Sequence, residues 1–194
     1  MAQMTVDGVN EGELDVTVPA VTVKNIAKVI PGDVTFTFGE KRLIVQNDHT
    51  VMAVTLLEGT FPALEKVYDP NPPIVVKTDR TALLNAAERA SLFRMDGSSV
   101  GKLSFNSDTL TLDGQSPEVG TFHEEIPCEV TGYNSDDPYT ISLNIEYVVT
   151  ALKGAKGDDI ELKFAESNSR PFLVSGSEDT DSLIQVLLGV RAHD

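Results

Sequence analysis

The 194-residue sequence has no tryptophan, a single cysteine and only three histidines. With Cys128 alone no intrachain disulfide can form, which excludes the disulfide scaffold of small secreted domains, and a reducing, cytoplasmic setting is expected. His49, His123 and His193 are too widely spaced to complete a closed zinc site with that cysteine, so neither a structural metal nor a cofactor is expected. Long hydrophobic runs are missing as well. Apolar runs such as residues 186–190 are strand-length, far short of the ~18–20 residues of a membrane span, and no signal peptide is visible. A soluble protein without a membrane partner is expected. Positive charge is scarce, 15 Lys and Arg against 30 Asp and Glu for a net charge of -15, and this average argues against a nucleic-acid binder. What is present is a globular composition, 41% hydrophobic with 14 Gly and 10 Pro, in a chain long enough for one large domain or two small ones.

The sequence contains a repeat. Residues 20–30, 79–94 and 144–153 read as helices: the first follows Pro19, the second has Asp79 as N-cap, and the third stops at Gly154, expected as its C-cap. Each follows a short β-rich run and precedes three more. These are "DVTFTF", "RLIVQN" and "TVMAVTLLEG" after the first, then "GKLSF", "TLTLDG" and "TFHEEIPCEV", then "DIELKF", "PFLVSG" and "SLIQVLLGV". Alternation within them marks strands with one buried face. The unit is β-α-β-β-β, three times over, which gives an α+β class with helices covering one face of antiparallel sheets. Two modules packing helix beside helix form one domain, and the proline-rich segment 61–73 reads as the linker after the first module.

Sorting charge by element alters the picture drawn by the net value. The helical segments and their last turns carry Lys24, Lys28, Arg80, Arg89, Arg94, Lys153 and Lys156 against Glu88 and Glu146. If the helices share a surface, that surface is basic and suited to tracking a phosphate backbone without reading bases. Lys and Arg are also good helix formers with solvated heads, and composition alone does not separate the two readings.

Catalytic patterns fail on spacing. In "DGSSVGKL" (96–103) only three residues separate the glycines where a phosphate loop has four, and Leu103 replaces the Ser or Thr. "HEEIP" from His123 lacks the second histidine of a metalloprotease helix, and "SEDTDS" (177–182) lacks the glycine turn and distal Glu of a calcium loop. The acid pairs Glu124-Glu125, Asp136-Asp137 and Asp158-Asp159 read as solvated charge. No enzyme is expected.

Several blocks, in order, resemble the C-terminal half of the bacterial sliding clamp, the β subunit of DNA polymerase III. "EGTFPALEKVY" (58–68) is similar to the family's linker between middle and C-terminal domains, and "DRTALLNAAERASLF" (79–93) and "SLNIEYVVTALK" (142–153) to the two helices of the C-terminal domain. "SRPFLV" (169–174) and "IQVLLGVR" (184–191) resemble the last strands. The resemblance implies residues 1–66 as the second half of a middle domain, one module, and 67–194 as a C-terminal domain of two modules. "MAQMTVDGVNEGELD" is then the final strand and loop of a truncated module.

In this family the whole chain forms a homodimeric ring around duplex DNA, joined between C-terminal and N-terminal domains, so this chain is expected not to close such a ring alone. The helices line the channel, which makes Lys24, Lys28, Arg80, Arg89, Lys153 and Lys156 the expected DNA-facing residues. The implied partners are DNA polymerase III, clamp-loader subunits and other proteins that present a short peptide with a Gln and apolar anchors. Carried over by position, the peptide pocket is Pro62, Lys66, Val67, Asn144, Tyr147, Arg170, Pro171, Leu188, Val190 and Arg191. Gly189 stands where the family commonly has proline. Tyr147, Leu188 and Val190 are also core-type residues, and Asn144 is also a natural helix N-cap. The implied role is that of a processivity-clamp fragment. The alternative is a monomeric adaptor that holds partner peptides without encircling DNA.

Overall fold

The computed structural model describes residues 16–59, 67–94, 98–179 and 183–190, and the backbone of residues 2–4. They divide between two compact units, residues 8–63 and residues 1–7 with 64–194.

The larger unit contains two full modules. The first runs β5 (Ile74–Asp79), α2 (Arg80–Ala90), β6 (Val100–Phe105), β7 (Thr109–Ser116) and β8 (Gly120–Thr131). The second runs β9 (Tyr139–Asn144), α3 (Ile145–Gly154), β10 (Asp159–Phe164), β11 (Phe172–Gly176) and β12 (Leu183–Leu187). Both helices start on the side chain of the residue that ends the preceding strand. Asp79 accepts the Ala82 N–H at 2.6 Å and Asn144 the Glu146 N–H at 2.9 Å, so one residue closes a strand and opens a helix.

The modules exchange their first strands. β9 pairs with β6 of the other module, and β5 pairs with β10, each antiparallel over six residues. β5 also meets the far end of its own module's long β8, with Val76 opposite Val130. At the corresponding seam the Val190 N–H reaches the Ser142 carbonyl at 2.8 Å. With β1 (Ala2–Met4), the strand order among the described residues is β1-β12-β11-β10-β5-β8-β7-β6-β9.

Alternate residues of these strands point at α2 and α3 and make one core, in which Leu103, Leu112, Ile160 and Leu162 meet Leu83, Ala87, Val148 and Leu152. Its centre is aromatic: the Phe164 ring lies 4.8 Å from Phe172 and 5.1 Å from Phe105, which stacks at 4.9 Å on Tyr139. On the opposite face Tyr68 packs on Leu173 and Val186 and ties the incoming chain to β11 and β12.

The smaller unit holds α1 (Ala20–Val29), β2 (Thr35–Phe38), β3 (Arg42–Gln46) and β4 (Val51–Thr55). The strands form a sheet in that order, and Ile26 and Ile30 pack on Leu43, Val45, Val54 and Leu56.

Three expectations need correction. The first module lacks a full leading strand among the described residues, where only the bridge of Thr17 to Leu57 stands for it. Residues 2–4, assigned from sequence to a domain of residues 1–66, form β1 (Ala2–Met4), which pairs antiparallel with β12 and belongs to the larger unit. The free edge of β12 accepts any extended backbone in register, a choice not encoded in three residues. Gly154 is not a left-handed cap: α3 runs through it, and the Ala155 N–H still bonds Ala151. The turn falls at Gly157, whose φ is +96° and whose absent Cβ would lie 2.3 Å from Ser177 Oγ.

Two substitutions probe this packing in urea unfolding followed by circular dichroism. Phe164→Ala is expected to destabilise the larger unit by about 3–5 kcal/mol, as a fully buried ring lost from a close-packed cluster. Gly157→Ala is expected to cost about 1–2 kcal/mol from the left-handed backbone alone.

Candidate functional site

One end of α3 and the last strand enclose a cavity of about 500 Å³ in the larger unit, within the range that holds small ligands and peptide side chains. Tyr147, Thr150 and Ala151 line it from the helix. Their spacing of three and four residues puts them on one face over successive turns. β12 contributes Gln185, Val186 and Leu187, followed by Leu188, and Pro171 enters just ahead of β11. Val67 completes the wall, brought there by the packing of its neighbour Tyr68 on the sheet.

The cavity is mainly apolar with few polar atoms. Gln185 is buried, and its Nε2 donates to the Ala151 carbonyl at 2.9 Å, tying β12 to α3 through the wall. The Thr150 hydroxyl donates back to Glu146 O. Large apolar groups remain open to water at the mouth: Tyr147 is 62% exposed and Leu188 59%. A surface of this kind favours insertion of apolar side chains, with backbone and amide groups at the rim setting orientation.

Of the ten residues implied by resemblance, the structure brings together Val67, Tyr147, Pro171 and Leu188. Pro62, Lys66 and Arg191 lie outside the described residues. Three others are not in the cavity lining. Asn144 caps α3 with its side chain, because the first turn of the helix needs an acceptor there. Arg170 is exposed beside Pro171, its N–H bonded to Ser167 O. Val190 is half-buried at the β9 seam. Beside it Gly189 approaches β9 so closely that a Cβ would lie 2.9 Å from Ile141 Cγ1 and 3.2 Å from Ser142 O. Sequence reasoning missed Thr150, Ala151, Gln185, Val186 and Leu187. The helix spacing from Tyr147 was a usable signal for the first two, and a lone amide in the apolar strand "LIQVL" was one for Gln185.

The expected basic surface is largely committed within the protein. Arg89 grips Glu124 through Nε at 3.0 Å and through a second nitrogen, Arg94 pairs with Glu146, and Lys153 reaches Glu88 at 2.7 Å. Arg80 is half-buried and donates from Nε to the Gly157 carbonyl at 2.6 Å, which places a cation at the C-terminal end of α3. Lys24, Lys28 and Lys156 are exposed and make no ion pair among the described residues.

The other reactive groups among the described residues have separate local partners. Cys128 is half-buried, and burial, helped by Asp108, pushes its thiol up to about 11, so it is a protonated thiol at neutral pH. His123 sits on strand β8 with Nδ1 2.7 Å from Asp113, and this hydrogen bond raises its pKa. Residues 100–105 form a strand where a phosphate loop requires the start of a helix. Asp158 accepts the Arg80 N–H through its backbone carbonyl, and Asp159 pairs with Lys77 at 2.9 Å. Among the described residues no three His, Cys, Asp or Glu cluster as metal ligands, and no helix is long and apolar enough to cross a membrane.

Residues 69–191 match the family model described as "DNA polymerase III beta subunit, C-terminal domain". The chain is 28% identical over 195 residues to the beta sliding clamp of Staphylococcus aureus, covering 98% of this chain and 50% of the relative. Its structure is similar to the β subunit of DNA polymerase from Streptococcus pyogenes, with a TM-score of 0.83, 25% identity, and coverage of 98% of this chain and 52% of the other. For the polymerase sliding clamp of Bacillus subtilis the TM-score is 0.84 at 24% identity, with coverage of 99% and 51%. The chain thus spans about half the length of these relatives. With the strand-exchanged pair of β-α-β-β-β modules and a matching model over most of its length, the chain belongs to the family of the DNA polymerase III β subunit, the bacterial sliding clamp, and corresponds to its C-terminal half.

Proposed function

We propose that this chain captures short peptides of replication and repair proteins in the cavity bounded by Tyr147, Pro171 and Leu188, and serves as the partner-binding half of a polymerase processivity clamp. The observation that carries the reading is the cavity itself. Four residues expected from the family resemblance meet there with an apolar lining and an exposed aromatic mouth. The fitting ligand is an extended peptide with two apolar anchors for the walls and a glutamine whose amide pairs with polar groups at the rim. Arg170 is assigned to that rim, Pro62, Lys66 and Arg191 are taken as partner-binding residues on the family resemblance alone, and Asn144 acts through the orientation of α3. The chain has no catalytic role in this reading, and its partners are DNA polymerase III, clamp-loader subunits and other carriers of such peptides. Residues 67–194 are the clamp's C-terminal domain and most of the preceding residues one module of its middle domain. In a complete ring the helices face duplex DNA and contact its backbone without base readout.

A second reading is favoured by the charge arrangement. With Arg89, Arg94 and Lys153 neutralised by carboxylates and Arg80 bound to a carbonyl, few cations remain for phosphates. This chain is then an adaptor that holds peptides without encircling DNA.

Two measurements check these readings. In fluorescence anisotropy a labelled peptide with one glutamine and two apolar anchors is expected to bind saturably. Tyr147→Ala is expected to weaken it by about tenfold or more, and exposed Arg170→Ala by less. No saturable binding by folded chain removes the peptide-capture reading. For duplex DNA, a log K against log salt slope no steeper than about -3 is expected if only Lys24, Lys28 and Lys156 engage phosphates. A slope twice as steep contradicts the adaptor reading.

A further inference from the structure

The cavity lining holds one polar side chain that is itself buried, and its hydrogen-bonding capacity is mostly unused. Gln185 is 7% exposed, whereas Tyr147 and Thr150 stand open at the mouth. A primary amide offers two N–H groups and an oxygen with two lone pairs. The described residues engage one of these, the Nε2 that donates to the Ala151 carbonyl at 2.9 Å. A carbonyl only accepts, so the amino group is the one that faces it, and this fixes the oxygen on the other side of the amide. No donor among the described residues reaches that oxygen, and it is not sealed from the surface.

The helix makes room for it. Gly154 follows Tyr147, Thr150 and Ala151 at the three-to-four spacing that keeps residues on one face of α3, and it is exposed. A Cβ there would come within 3.3 Å of Gln185 Oε1, against 3.9 Å of Nε2. The oxygen therefore lies over the helix face that lines the cavity, beside the one residue of that face without a side chain. Thr150 has the same bias. Its hydroxyl hydrogen goes to Glu146 O at 2.8 Å, which leaves only lone pairs for a ligand. Both polar side chains thus direct a donor into α3 and keep an oxygen for whatever enters. An anchor of carbon alone covers a buried acceptor without replacing the hydrogen bonds that water gives it, which costs binding energy.

We propose that Gln185 is a specificity-determining residue of the cavity: its Oε1 accepts a hydrogen bond from the side chain that enters, so that a peptide anchored by tyrosine is preferred to one anchored by phenylalanine. This rests on the peptide-capture reading and adds the chemical class of the anchor. The ring of such an anchor matches the apolar wall of Val186, Leu187 and Leu188, and its hydroxyl matches the one buried amide. A site that pairs a hydroxyl rejects the analogue lacking it more sharply than a wholly apolar site separates the two, because its own polar group is left without a partner. Gly154 is a positioning residue in this arrangement, since its missing side chain is what lets the amide lie against the helix.

Fluorescence anisotropy on the full 194-residue chain tests this with three labelled peptides, each with one glutamine and two anchors: phenylalanine at both anchors, or tyrosine at the first or at the second. One of the tyrosine peptides is expected to bind at least about fivefold tighter than the phenylalanine peptide. In Gln185→Met, which keeps the length of the side chain but not its acceptor, that preference is expected to vanish or invert, because the hydroxyl then enters an apolar wall unpaired. The ratio between two peptides on one protein is insensitive to a general loss of affinity from the lost tie to Ala151. Gly154→Ala, which crowds the oxygen but keeps the amide, is expected to lower the ratio as well, and circular dichroism checks the fold of each variant. Equal binding of all three peptides overturns the inference and leaves peptide capture standing. So does a tyrosine preference that survives Gln185→Met or, should that variant not fold, Gly154→Ala. Absence of binding by every peptide to folded chain removes both.

Discussion

The antiparallel pairing of β5 with β10, mirrored by that of β9 with β6, is the interaction on which the larger unit depends. Each of these first strands is covalently continuous with the helix of its own module but hydrogen-bonded into the sheet of the other. Neither module can therefore place its helix without the other. Asp79 and Asn144 sit at this joint, ending a strand and capping a helix in one residue. The exchange also fixes α2 beside α3, which lets Arg80 reach the Gly157 carbonyl and Lys153 reach Glu88. The core of leucines, alanines and stacked rings fills the space that this geometry encloses.

The cavity is a by-product of the same geometry. α3 is held by its capped start and by the core, while β12, the last strand of its module, lies along it with Gln185 bonded to Ala151. Where the apolar strand and the apolar helix face diverge, the space between them is lined by side chains, of which Tyr147 and Leu188 stay exposed. The buried wall and the exposed Tyr147 and Leu188 are the features on which the proposal of peptide capture rests.

Secondary structure was legible because the repeat is written in two periodicities, alternation in the strands and three-to-four spacing in the helices. The three helices and the three strands after each of them are where those patterns put them. The Asp79 cap was legible from residue type, whereas the Gly154 cap was not, because whether a glycine adopts a positive φ depends on the turn that follows. Four of the nine residues lining the cavity were legible, all through the resemblance. Gln185, Val186 and Leu187 were missed, since a strand shows which face a residue lies on but not which helix end it will meet.

By itself the sequence determined the module, its threefold repetition and the elements within it, because these follow from local periodicity and capping chemistry. The tertiary structure alone decided where the charges act. Lys and Arg placed on the helices by composition are, in space, partners of Glu124, Glu146, Glu88 and the Gly157 carbonyl just past α3, and polar pairing across 35 to 77 residues leaves no local signature. It also decided which modules complete one another. The apolar strand ends of all three look alike in sequence, and only the fold buries Phe105 and Phe164 while leaving Phe38 in water, because a neighbouring strand is supplied by topology and not by the residues it covers.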